Sequence, residues 1–171
     1  LVRISILFIA LLTAPSLFAQ TALWSRVSPD YDPPRLPQAQ LTQAETATIH
    51  HMLYSPAQRS WWDCDNDHDP ALINASFVFS NIALATGHRT ILIEGGPRCR
   101  PGGTGGGGPM WIVEFHGSRL SLLASPDHDF NGWLFSIQPN PHYKYSDIVL
   151  GWHMAAQNYE LTYFRFNGHT Y

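Results

Sequence analysis

From Ser76 onward the chain is cut into short apolar runs, separated by clusters of Gly, Pro, Asn and Asp every dozen residues or so. The runs are Ser76–Ala83, Thr90–Glu94, Met110–His116, Leu120–Leu123, Gly132–Ile137, Ser146–Trp152 and Leu161–Phe166. Each is too short to stand as a helix, and most are rich in β-branched and aromatic residues. In Met110–His116, Trp111, Val113 and Phe115 share one face, and Met110, Ile112 and Glu114 the other. Asn167-Gly168 is a strong hairpin signal, with His169–Tyr171 as a short returning strand. Spacing this close fits an antiparallel meander better than βαβ units.

One segment has helical texture. Thr42 and Glu45 form the capping-box pattern, and Ile49, Met52 and Leu53 recur at helical spacing. A helix is expected over Leu41–Tyr54, ended by Pro56. The expected fold class is therefore α+β: a mostly antiparallel β meander with one N-terminal helix, in a single domain over residues 41–171.

Residues 1–19 read as a signal peptide. Arg3 precedes the apolar run Ile4–Leu12, Pro15 breaks it, and the small Ala19 offers a cleavage point. The run is too short to span a bilayer, so no stable membrane span is expected after cleavage. Residues 20–40 are expected to be a Pro-rich linker, extended by Pro29, Pro33, Pro34 and Pro37. A periplasmic or secreted location follows. The formal net charge of -3 and the 13% share of charged residues argue against a nucleic-acid partner.

Export also sets the expectation for sulfur. Cys64 and Cys99 are the only two cysteines, and an even pair in an oxidising compartment reads as a disulfide. It would close a loop of roughly 35 residues, worth about 3–4 kcal/mol on chain-entropy grounds. A nucleophilic role is disfavoured for Cys64, because Asp63 and Asp65 beside it would raise a thiol pKa. The stretch from Asp63 to Asp69 alternates acidic residues as a calcium loop does, with Asp63, Asp65, Asp67 and Asp69 as candidate ligands. His68 stands where such a loop wants Gly, and Asn74 where it wants a bidentate Glu, so calcium is a possible cofactor and a solvated loop the plainer reading. The glycine run 102–108 lacks the Lys-Ser/Thr of a phosphate loop and precedes a strand, which leaves it a connection.

No metalloprotease, serine-hydrolase or β-lactamase motif is present, so no catalytic residue is assigned. Glu94 with Glu114, His116 beside Glu114, and Asp147 with His153 are candidate acid–base pairs for a small hydrolase. Aromatic residues suit a binding surface better. Trp61 and Trp62 are adjacent on an extended segment, so one should face the core and the other solvent. Trp152 and His153 end a strand. Exposed Trp near Asp or His grips sugar rings and protein hot spots. The sequence favours a non-enzymatic binding or inhibitor-type module for a protein or glycan, with a small hydrolase or a calcium-stabilised structural module as alternatives.

The segment Cys99–Phe115, then SDIVLGWHMAA, then LTYFRFNGHTY resemble a family of small exported bacterial proteins of unassigned function. The ending also resembles the β units of FG-GAP-type repeats, in which an acidic calcium loop accompanies short strands. The resemblance implies an exported, β-containing domain and assigns no catalytic residue.

The cysteine expectation has a direct readout. Thiol titration of the denatured, unreduced protein should find no free sulfhydryl; two free thiols would refute the bridge.

Overall fold

The computed structural model describes residues 22–25, 34–62, 77–95, 107–155 and 158–171, with side chains left aside at 22–25 and 153–159. Eight strands dominate: β1 (Ala22–Ser25), β2 (Phe77–Ile82), β3 (Arg89–Gly95), β4 (Gly108–His116), β5 (Arg119–Ala124), β6 (Asn131–Gln138), β7 (Asp147–Ala155) and β8 (Asn158–Phe164). The helices are α1 (Gln43–Leu53) and the single turn α2 (Pro56–Arg59), with a 3-10 turn at Pro126–His128. The strand order is β1-β8-β7-β6-β4-β3-β2, with β5 on β4, and every pairing between these strands is antiparallel.

The expected α+β class is overturned: this is a β-rich fold. Among the described residues its α-helical content is one 11-residue helix and one turn, too little to form a layer. The second layer is another sheet. The halves β2–β5 and β6–β8–β1 join at Gly108–Gly132 and Pro109–Asn131, where β4 meets β6. Beyond that junction they share one apolar cluster. Leu92, Met110, Ile112 and Leu123 of the first half pack with Leu134, Ile148, Leu150 and Phe164 of the second. The sheet is thus folded over on itself.

The other face of β2–β5 carries Phe77, Phe79, Ile91, Ile93, Trp111, Val113 and Phe115. Helix α1 covers it with Ile49 and Leu53, both fully buried. Each of those two residues is worth about 2 kcal/mol in removed apolar surface. Thr42 caps α1: its side chain accepts from the Glu45 N–H at 3.2 Å, and Glu45 accepts from the Thr42 N–H at 2.8 Å. Glu45 also pairs with Arg89 at 2.9 Å, which ties α1 to β3. Pro56 starts α2 at a position that needs no donor.

Two pieces of the segment read as a linker are bonded into the fold. Ala22–Ser25 pairs with β8. Gln38 bridges Ser80, and the Ala39 N–H donates to Phe79 O at 2.9 Å, so residues 37–39 border the open edge of β2.

The junction between the halves depends on glycine. Gly132 has φ +124°, and a Cβ there would meet Gly151 O at 2.6 Å. A Cβ on Gly107 would meet Gly132 Cα at 2.8 Å. The end of the glycine run therefore allows β4 to approach β6 backbone to backbone. Gly132→Ala combines a disfavoured φ with a backbone clash and should cost about 3 kcal/mol or more in urea unfolding. Gly87→Ala, at φ +75° but with open space around the Cβ, should cost about 1 kcal/mol. Equal losses in the two variants would contradict the close-approach argument.

Candidate functional site

Two polar constellations emerge from these layers. The first runs outward from the core to Trp61. Trp111, on the helix-facing side of β4, is fully buried and needs a partner for its indole N–H. It donates to Gln58 Oε1 at 2.7 Å. Gln58, itself buried on α2, donates through Nε2 to Asp127 Oδ2 at 2.7 Å. The other oxygen of Asp127 accepts the Trp61 indole N–H at 2.6 Å. The Trp61 side chain is thereby tied, by three consecutive hydrogen bonds, to the rigid centre of the sheet. Trp61 remains 38% exposed. The indole bond, with help from Gln58 and Ser125, holds the Asp127 carboxyl below the usual carboxylate range against the opposing effect of burial.

Trp62 turns the other way and is 2% exposed. Its indole N–H donates to Leu53 O at 3.0 Å, and its ring makes edge contacts with Tyr54 and Phe77. It is part of the core and offers no face to a ligand.

The second constellation closes one end of the inter-sheet core. Glu114 lies on the same face of β4 as Met110 and Ile112, and is 3% exposed. A charge at this depth needs partners. His88 Nδ1, from the turn before β3, pairs with Oε1. His116 Nε2, at the end of β4, pairs with Oε2 at 2.9 Å. The Tyr145 hydroxyl donates to both oxygens at 2.9 and 3.0 Å. Burial alone would push the Glu114 carboxyl up; the bonds from His88 and Tyr145 and the nearby His88 and His116 hold it below its ordinary value. Burial, together with the adjacent carboxylate, pushes Tyr145 up to about 12. The His116 side chain is half exposed, so an imidazole oriented by a buried carboxylate reaches solvent. That is the geometry of a general base with its orienting partner.

The remaining sequence candidates separate. Glu94 and Glu114 share a face, but their register partners are Met110 and Thr90. They stand about 13 Å apart along the strands, beyond the spacing of a glycosidase pair. Asp147 pairs with Arg165 at 3.3 Å and accepts from Asn140 at 2.8 Å. His153 is about 20 Å further along β7, so these two form no pair. Trp152 is 37% exposed, and its indole lies over Gly132. The side chain of His153, the acidic residues Asp63, Asp65, Asp67 and Asp69, and Cys64 with Cys99 lie outside the described residues. Among the described residues no group of three or more His, Cys, Asp or Glu is arranged to hold a metal ion. No described helix is long and apolar enough to cross a membrane.

Sequence reasoning missed Gln58, Asp127, His88 and Tyr145, which no local motif marks. Comparison of the chain with known protein families, characterised proteins and solved structures finds no match.

The Glu114 cluster makes a pH prediction. A carboxylate whose folded pKa is depressed contributes stability that is fully present above its unfolded value, near 4.5, and lost as pH falls through the folded value. Glu114→Gln should therefore cost about 2 kcal/mol at pH 7. In urea unfolding the gap to the native protein should shrink steadily below pH 4.5. A gap that stays constant down to pH 3 would contradict the assignment.

Proposed function

We propose that the protein is an exported, non-enzymatic binding module that recognises a protein or glycan through the surface around Trp61. The observation that carries this reading is the path Trp111–Gln58–Asp127–Trp61, which holds an exposed indole in one orientation. An aromatic ring fixed before contact loses little entropy on binding. Its N–H is already bonded to Asp127, so the ring face is what it presents. That suits the apolar face of a sugar ring or an aliphatic side chain. Tryptophan anchors of this kind dominate interface energetics.

A second reading, a small hydrolase, draws on the His116–Glu114 contact at 2.9 Å. Glu114→Gln discriminates: hydrolysis of p-nitrophenyl acetate above the buffer rate, lost in that variant, would favour it.

Binding is tested on an array of immobilised bacterial and host glycans and envelope proteins, probed with labelled native protein, Trp61→Ala and Val78→Ser. Val78 is exposed on β2 and serves as the control. Trp61→Ala should weaken every specific signal at least about tenfold, as expected of an anchor worth more than 1.4 kcal/mol, and Val78→Ser should leave them unchanged. Equal profiles for native protein and Trp61→Ala would overturn the reading.

A further inference from the structure

The turn between β2 and β3 and the connection between β6 and β7 face one another across an open recess of about 270 Å³. Its walls include Leu84, Thr86, Asn140, Tyr143, Lys144 and Ser146. Neither Trp61 nor any of Glu114, His88, His116 and Tyr145 lines this recess.

The walls are fixed. The Ser146 N–H donates to Leu84 O at 2.8 Å, which clamps the two loops together. Leu84 itself is 2% exposed. The Asn140 amide is bonded at both ends, donating to Asp147 at 2.8 Å and accepting from the His142 N–H at 3.0 Å. The Tyr143 ring is 43% exposed, with the Arg165 guanidinium 5.8 Å from its centroid.

The polar groups around it are open to solvent. The hydroxyls of Thr86, Tyr143 and Ser146 have no hydrogen-bond partner among the described residues, and Lys144 has no ion-pair partner among them. Asp147, the nearest carboxylate along the chain, is already matched by Arg165. Among the described residues the recess therefore presents one positive charge without an ion-pair partner, three solvated hydroxyls and one aromatic side chain. Its volume falls just under the range of drug-sized pockets, which leaves room for a small ligand only.

We propose that this recess binds a single acidic sugar unit, a hexuronic acid, with its carboxylate on Lys144 and its ring against Tyr143. One ammonium matches one carboxylate, whereas a dianionic phosphate is usually met by several donors or a helix N-terminus, and no helix is among the segments that line the recess. Side-chain hydroxyls serve both as donors and acceptors to sugar hydroxyls. The face of Tyr143 away from Arg165 is left for the C–H side of the ring.

Lys144 is the chain's single lysine, so amine acylation reports on it separately from the α-amino group. The experiment measures the acylation rate at Lys144 by peptide mass spectrometry, with sodium glucuronate, glucose or sodium acetate added at matched ionic strength. Amide NMR shifts are followed in the same titrations. Glucuronate should protect Lys144 saturably, with a Kd in the millimolar range expected for so small a ligand, and shift amides of residues 83–88 and 139–147. Glucose and acetate should each bind at least tenfold more weakly. Lys144→Gln and Tyr143→Ala, both at exposed positions, should each abolish the saturable shifts. Equal protection by acetate would mean a bare anion contact and overturn the sugar assignment. Absence of saturation up to 50 mM glucuronate would overturn the site.

Discussion

The half-sheet β2–β5 is apolar on both faces, and the rest of the molecule is arranged to cover it. On β4 the inner residues Met110 and Ile112 and the outer residues Trp111 and Val113 are all essentially inaccessible to solvent. A sheet of this kind needs cover on both faces. One layer is the return half β6–β8, reached through the glycine contact at Gly107, Gly108 and Gly132. The other face is covered locally by α1 with α2, α1 being capped by Thr42 and held to β3 by the Glu45–Arg89 pair.

Both polar constellations arise where that coverage meets a group it must satisfy. Trp111 is too large and too polar at its N–H to be buried without a partner, and α2 supplies Gln58. The amide nitrogen of Gln58 carries the bonding onward to Asp127, and Asp127 carries it to Trp61. A demand created in the core is thus met by a path that ends on the surface and fixes an aromatic side chain there. Glu114 shows the same logic at the end of the inter-sheet layer. Its position on the inner face of β4 buries a carboxylate, and His88, His116 and Tyr145 converge from a turn, a strand end and a connection to satisfy it.

Local chemistry was legible in the sequence, and long-range coverage was not. The Thr42–Glu45 box and the apolar spacing of Ile49 and Leu53 mark α1, because capping and helical periodicity are set within a few residues. The alternation in Met110–His116 marks β4 and assigns its two faces. It does not reveal that the face bearing Glu114 would be covered by a second sheet, so that residue reads as half exposed. The α+β expectation failed for the same reason: the helix was counted as a layer, whereas the layer is β6–β8 with β1. β1 has four residues whose pairing partner, β8, is more than a hundred residues away, and periodicity cannot register it. At Asn167-Gly168 the Asn167 side chain accepts from the His169 and Thr170 N–H groups at 2.9 Å. The turn forms, but no returning strand follows, and the Tyr171 N–H donates instead to Leu123 O. In the path to Trp61, Gln58 and Asp127 are polar residues with no motif around them, joined only by the tertiary fold.

The most direct test is the dynamics of the Trp61 indole N–H in solution, measured by ¹⁵N relaxation and hydrogen exchange. An indole bonded to Asp127 and through Gln58 to the core should give an order parameter near 0.8 and slowed exchange, both lost in Asp127→Ala. An order parameter below about 0.6, with exchange as fast as in a free indole, would mean that Trp61 is an ordinary mobile surface side chain and contradict the anchor role proposed for it.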